Sequence, residues 1–168
     1  MSIRVLFICH GNICRSPMAE FVMRDIVEKQ GLKDLFEIAS AATSTEEIWG
    51  GKGNPIYPPA QKELKKQGIG TTAYTNFANK RAKQVTREDY KYYDYLLCAD
   101  SYNIRNTMRI TGPDRDKKIR LLLDYTERPG RSIADPWYTG NFDETYRDVV
   151  EGCNAFLDYL IGNGLLVK

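Results

Sequence analysis

Cys9 and Arg15 stand six residues apart in the run Cys9-His10-Gly11-Asn12-Ile13-Cys14-Arg15-Ser16-Pro17. Their side chains suit one chemistry: a sulfur nucleophile, and a planar guanidinium whose fork binds two oxygens of a phosphoryl group. Between them Gly11-Asn12 breaks the chain into a turn, and Asn12 suits a left-handed backbone position there. Ser16 is expected to cap a helix whose first residue is Pro17. Backbone N–H groups of such a turn point inward, and the free N–H groups of the first helical turn add partial positive charge. The segment therefore reads as an anion cradle built from His10, Gly11, Asn12, Ile13, Cys14, Arg15 and Ser16. The same field acts on the thiol. A cysteine that ionises near pH ~8.5 in water falls to ~3.5–7.5 at a helix N-terminus beside a cation, so Cys9 is expected as a thiolate at neutral pH. The Ser16 hydroxyl can donate to that anion, and later to the departing sulfur.

These residues need a frame. Ile3–Cys9 is rich in β-branched and aromatic residues and reads as a buried first strand ending at the nucleophile. Met18, Phe21, Val22, Ile26 and Val27 then recur at helical spacing up to Gly31. Further strands are expected at 36–39, 95–99 and 119–123. Helices are expected from Pro58 to about Gly68, after Thr86, after a cap at Asp100 or Ser101, and over 142–161. Residues 49–55 read as a loop. Short apolar runs alternating with amphipathic stretches favour an α/β domain with a mostly parallel sheet, and ligands of such sheets collect beyond the carboxyl ends of the strands.

The chain has 168 residues, with 24 Lys+Arg against 22 Asp+Glu, one histidine and four cysteines. That length fits one domain, 1–168. A net charge of +2 does not call for a nucleic acid partner. The five-residue apolar stretch near the start is too short for a membrane span or a secretion signal, so a cytoplasmic location is expected. With His10 alone, a histidine-rich metal site is excluded, and no cofactor is called for. Catalysis must come from Cys, Arg, Asp, Glu or Tyr.

The run C-x-G-N-x-C-R-S-P resembles the low-molecular-weight protein tyrosine phosphatases. The likeness extends over nearly the whole chain through Ser40-Ala-Ala-Thr43, Cys98-Ala-Asp-Ser-Tyr-Asn103 and Asp135-Pro136-Trp137-Tyr138. It implies a single three-layer domain: a central, mostly parallel four-stranded sheet with helices on both faces and an N-terminal phosphate-binding loop. It also implies hydrolysis of phosphotyrosine and aryl phosphate monoesters through a phosphocysteine, with Asp135 as general acid and then base. Pro136 supports that role by holding Asp135 out of the α region, in an extended loop. Trp137 and Tyr138 offer apolar surfaces to an aryl ring. An acid that must be protonated while the thiol is ionised implies a mildly acidic optimum. The implied partners are phosphotyrosine proteins, with inorganic phosphate as product, no nucleic acid and no membrane, the enzyme being a monomer or weak dimer.

The resemblance further implies a reversible disulfide between Cys14 and Cys9 under oxidation, and an aromatic at the pocket rim, for which Trp49 and Tyr57 are the candidates. Ile13, aliphatic where arginine phosphatases tend to carry threonine, favours phosphotyrosine. Ser40 is expected to help orient Asn12 and Ser16. Ala39 and Gln67 replace an aspartate and a histidine common in the family, which implies a simpler network around the loop. His10 is read as a solvent-facing side chain, or as a partial substitute for that histidine. Asp100 suits an ion pair with Arg15 or a helix cap. Cys98 and Cys153 are expected in the core. The competing readings are a thiol-dependent arsenate reductase, which needs a further close cysteine pair, and a non-catalytic oxyanion-binding redox sensor, which needs no Asp135.

Overall fold

The computed structural model describes residues 2–166. Along the chain run β1 (Ile3–Cys9), α1 (Arg15–Lys29), β2 (Phe36–Ala42), β3 (Ile48–Trp49), β4 (Lys52–Gly53) and α2 (Pro58–Lys66). Then come α3 (Arg87–Tyr92), β5 (Tyr95–Cys98), α4 (Ser101–Thr111), β6 (Ile119–Leu121), α5 (Pro136–Thr139) and α6 (Phe142–Gly162).

Successive side chains of a strand leave on opposite faces, and β1 separates two apolar clusters in this way. Val5, Phe7 and Cys9 join α1, α2 and α6 in one. Leu6 and Ile8 join α3 and α4 in the other. The result is three layers, helix–sheet–helix. Fully buried side chains such as Phe7, Met18, Leu97 and Phe156 each contribute about 1.5–3 kcal/mol by leaving water.

Strand order in the sheet is β2-β1-β5-β6, all parallel. Cys9 pairs in register with Ala42 of β2, and Ile8 with Cys98 of β5. The chain leaves β1 towards β2 on one side and later returns to β5 on the other. Loops after β1 and β5 therefore diverge, opening a crevice at the carboxyl end of β1. That is where Cys9 ends its strand.

Several local expectations are corrected. Ser16 does not cap α1: the helix begins at Arg15, and the capping position falls on Cys14, whose side chain makes no cap. The Ser16 hydroxyl is instead engaged by Cys9 and Asn12. Pro17 becomes the third helical residue, where the N–H has no intrahelical partner in any case. The second strand runs on to Ala42 because residues 83–85 pair against its end. The expected loop at 49–55 contains a two-stranded hairpin, β3–β4, turned by Gly50 and Gly51, both at positive φ (56° and 80°). The strand expected at 119–123 stops at Leu121 and tightens into a 3-10 turn, Leu122–Tyr125. Asp135 itself is extended, but Pro136, Trp137 and Tyr138 form a one-turn helix in place of an extended loop.

Candidate active site

The loop after β1 turns four of its carbonyls outward. Those of Cys9, His10 and Ile13 accept from the backbone N–H groups of Thr43 (3.0 Å), Ser44 (3.0 Å) and Tyr57 (2.9 Å), and that of Cys14 accepts from Met18 (3.0 Å). A trans peptide sets each C=O opposite the next residue's N–H, so the N–H groups of His10, Gly11, Cys14 and Arg15 turn towards the loop's centre. Asn12 makes this closure possible with a left-handed backbone, φ 59°, as its residue type led us to expect. Its own N–H points at Cys9 Sγ, 3.3 Å away.

Beneath the loop a buried polar chain fixes direction. Asn12 Oδ1 accepts from the Lys83 N–H (3.2 Å), which assigns Nδ2 to the other side of the amide. Nδ2 donates to Ser16 Oγ (2.7 Å) and Ser40 Oγ (2.9 Å), and Ser40 donates to Glu20 Oε1 (2.7 Å). With Asn12 donating into its oxygen, Ser16 keeps one proton to give. Cys9 Sγ, 3.0 Å away, donates its thiol hydrogen to Ser16 Oγ, and Ser16 gives its proton to the Ala41 carbonyl at 3.5 Å; once the sulfur is an anion it can only accept, and the Ser16 proton can turn to it.

The network ends on an acidic residue that the sequence did not single out. Glu20, buried, carries the negative charge at the far end of the chain, balanced by Arg24 (2.9 Å) and Lys80 (3.5 Å). Burial pulls Lys80 below its ordinary value, against the pull of Glu20. Lys80 and Arg24 also donate to the outward carbonyls of Ser40 and Ile38, and so blunt the exposed edge of β2. Gln67 takes no part; it bonds Glu63 on its own helix.

Arg15 is 5% exposed. Its Nη1 lies 2.8 Å from Asp100 Oδ2 and its Nη2 3.4 Å from Asp135 Oδ2. Burial opposes its charge, but the Cys9 sulfur, Asp100 and Asp135 outweigh burial and raise it above the ordinary guanidinium value. Asp100 performs both roles foreseen for it: its other oxygen accepts from the Asn103 N–H and caps α4. The Cys14 thiol is pushed up to about 12, first by burial, then by the neighbouring Cys9 sulfur and Asp135.

Asp135 enters from the opposite wall. Ile133 N–H donates to the Ala99 carbonyl (2.9 Å) beyond β5. Ala134 is held by Asp148 and Thr145 of α6. Asp135 Oδ1 caps α5 through the Trp137 N–H (3.1 Å), leaving Oδ2 turned to Arg15.

The cavity over the loop has a volume of about 700 Å³, enough for an aryl phosphate and part of its neighbours. Cys9, His10, Gly11, Ile13, Cys14, Arg15, Asp135, Trp137 and Tyr138 all line it. Asn12 and Ser16 do not; they act from beneath the loop. Trp49 is a correction: it stands 73% exposed on the hairpin and is not among the lining residues. Tyr57 is no rim residue either. Its ring packs against Trp137 (5.2 Å) and Phe142 (6.1 Å), supporting the acid's short helix. Glu46 and Glu47 occupy the wall after β2, and Tyr102 comes from the start of α4. The sequence reading missed these three, although Tyr102 follows the carboxyl end of β5, where the divergence of loops made a lining residue foreseeable. Cys98 and Cys153 are buried in the core, as expected.

A sulfur at a strand end, beside amide hydrogens, a serine hydroxyl and a guanidinium, with a carboxyl opposite, can exchange a phosphoryl group between an oxygen ester and water. Comparison with known proteins agrees. The family model described as low molecular weight phosphotyrosine protein phosphatase matches residues 4–164. The low molecular weight phosphotyrosine protein phosphatase of Gallus gallus is 42% identical over 159 residues, 92% of this chain and 93% of its own. The low molecular weight protein-tyrosine-phosphatase YfkJ of Bacillus subtilis is 37% identical over 156 residues, 92% and 94% of the two chains. The crystal structure of YfkJ superposes with a TM-score of 0.86 over 97% of both chains. That of the Streptococcus pyogenes low molecular weight protein tyrosine phosphatase gives 0.77, at 40% identity, over 99% of this chain and 95% of the other.

Proposed function

Because this chain belongs to the low molecular weight phosphotyrosine protein phosphatase family, we propose that Cys9, Arg15 and Asp135 divide its reaction between them. The enzyme is a phosphoric monoester hydrolase acting on phosphotyrosine in proteins. Phosphate enters the loop, displaces Asp135 from Arg15 Nη2, and takes hydrogen bonds from the guanidinium and the inward N–H groups. Freed from Arg15, Asp135 takes a proton from solvent; the Cys9 sulfur anion attacks phosphorus in line as the bond to the tyrosine oxygen breaks, and Asp135 gives that proton to the departing oxygen. A phosphocysteine remains. Water then attacks phosphorus, its proton passes to Asp135, and the P–S bond breaks to release inorganic phosphate. Ser16, donating to sulfur, eases that departure. Charge stabilisation falls to Arg15 and the loop amides. His10, Gly11, Ile13 and Cys14 surround the phosphate, Trp137 and Tyr138 flank the aryl ring, and Asn12 holds the loop closed.

The observation that carries this reading is Cys9 Sγ, 3.0 Å from Ser16 Oγ and 3.3 Å from the Asn12 N–H, inside a loop whose carbonyls at Cys9, His10, Ile13 and Cys14 bond away from its centre. The test is Cys9→Ser. Turnover of p-nitrophenyl phosphate in the presence of chelator is lost while vanadate still binds; a variant that keeps turnover refutes the nucleophile. Under peroxide the Cys9 and Cys14 thiols give up two electrons and two protons and join as a disulfide, which dithiothreitol reverses. The rival arsenate chemistry needs a further exchangeable cysteine pair, whereas Cys98 and Cys153 sit in separate apolar clusters. Among the described residues no helix is long and apolar enough to cross a membrane. Four free cysteines fit a reducing, cytoplasmic setting, and the protein acts there as a monomer or weak dimer.

A further inference from the structure

The two walls of the cavity mouth differ in charge. After β2, the Ser44 N–H donates to the His10 carbonyl and the Glu46 N–H bonds Ser44 Oγ (3.3 Å), which ties this loop to the phosphate loop. Glu46 is thereby set beside the nucleophile's neighbour, its Oε2 3.0 Å from His10 Nε2, with both side chains largely in solvent, 70% and 51% exposed. Glu47 stands next to it, steadied by Asn54, whose amide donates to Oε1 at 3.2 Å. On the opposite wall Tyr102, 66% exposed, carries the Arg105 guanidinium stacked on its ring at 5.3 Å. The basic side chains lining the cavity are His10, held by Glu46, and Arg15, held by Asp100 and Asp135. Once Arg15 has turned to the phosphate, the rim after β2 keeps two carboxylates and one imidazole, and the rim at α4 keeps a cation.

Accepting the phosphotyrosine reading, we infer that Glu46, with Glu47 behind it, selects substrates in which a lysine or arginine flanks the phosphotyrosine on the side that lies over the β2–β3 loop. The incoming cation takes Glu46 from His10, and an acidic side chain in that place meets repulsion. The selection is polar along the peptide, because the α4 rim carries Arg105 and discourages a basic residue there. An exposed pair is weak and screened by salt, so the discrimination is a matter of several-fold. Glu46 acts on which phosphotyrosine is taken, while the chemistry stays with Cys9, Arg15 and Asp135.

The test uses phosphotyrosine peptides identical except for Arg or Glu placed on one flank at a time, and reads the ratio of kcat/KM between the two. A ratio cancels any general loss of activity in a variant. At low salt the intact enzyme prefers Arg over Glu about three- to tenfold at one flank and not at the other, and the preference shrinks in 0.5 M NaCl. Glu46→Gln lowers the ratio, and Glu46→Lys brings it to one or inverts it. Equal rates for both peptides at both flanks, or a ratio unmoved by Glu46→Lys, overturn the inference. Failure on the peptides and on p-nitrophenyl phosphate alike would overturn the phosphatase reading instead.

Discussion

Asn12→Ala tests whether the buried chain beneath the loop holds the site together. The side chain makes three hydrogen bonds, to Ser16, Ser40 and the Lys83 N–H, all buried or partly buried. At about 0.5–1.5 kcal/mol each, with the Lys83 N–H left unpaired, their loss comes to about 2–4 kcal/mol. Alanine at φ 59° adds about 1 kcal/mol of left-handed strain. The total, about 3–5 kcal/mol, leaves a domain of ordinary stability folded. Asn12→Gly loses the same bonds without the strain, and is expected to recover about 1 kcal/mol. Catalysis falls further than stability alone would suggest. Without Asn12 to hold its oxygen, the Ser16 hydroxyl is no longer kept beside the sulfur and stays with the Ala41 carbonyl that already accepts from it, so a charge-assisted bond to the sulfur anion of about 1.5–3 kcal/mol is lost, a drop of about ten- to a hundredfold in kcat/KM. Urea unfolding followed by circular dichroism gives the first quantity, and p-nitrophenyl phosphate kinetics the second. An Asn12→Ala protein within 1 kcal/mol and twofold of the unaltered enzyme, or a glycine variant less stable than the alanine one, would refute the reasoning.

Three further outcomes are expected. Asp135→Ala should slow phosphotyrosine turnover by about a hundredfold or more, and less for leaving groups stable as anions; a series of aryl phosphates measures the contrast. Cys14, pushed up to about 12, first by burial and then by Cys9 and Asp135, keeps its proton until strongly alkaline pH. Iodoacetamide at pH 7 should therefore label Cys9 ahead of Cys14 in peptide mass mapping, and inorganic phosphate should protect Cys9. Glu20→Gln strands Arg24 and Lys80 beside a neutral partner and should cost about 2–4 kcal/mol in urea unfolding. It should also lower kcat, because Ser40 loses the anion that orders it.

The nucleophile's surroundings were legible because they are contiguous. Strand, Gly11-Asn12 turn, arginine and helix lie within one run, so residue type and spacing sufficed to place Cys9, Asn12 and Arg15. Asp135 needed the family likeness, since its approach to Arg15 depends on α6 and the Ala99 carbonyl holding a distant loop. Ser16 was misread as a cap because a serine before a proline has the same local appearance whether its hydroxyl serves the helix or a sulfur. Glu20 and Lys80 were invisible: one lies in a helix and the other in a loop, and only burial together at the β2 edge makes them partners. The rim was the hardest part. Trp49 drew attention by its size, yet a Gly-Gly turn carries it away from the cavity and leaves two glutamates in the wall.

The most direct test of the central claim is rapid quenching of Asp135→Ala during p-nitrophenyl phosphate turnover, followed by peptide mass spectrometry. With a leaving group that needs no proton the first step runs, while the second lacks its base, so a phosphoryl group should accumulate on Cys9. Phosphate on any other residue, or turnover with no covalent intermediate, would contradict the assignment of Cys9 as the attacking atom's bearer.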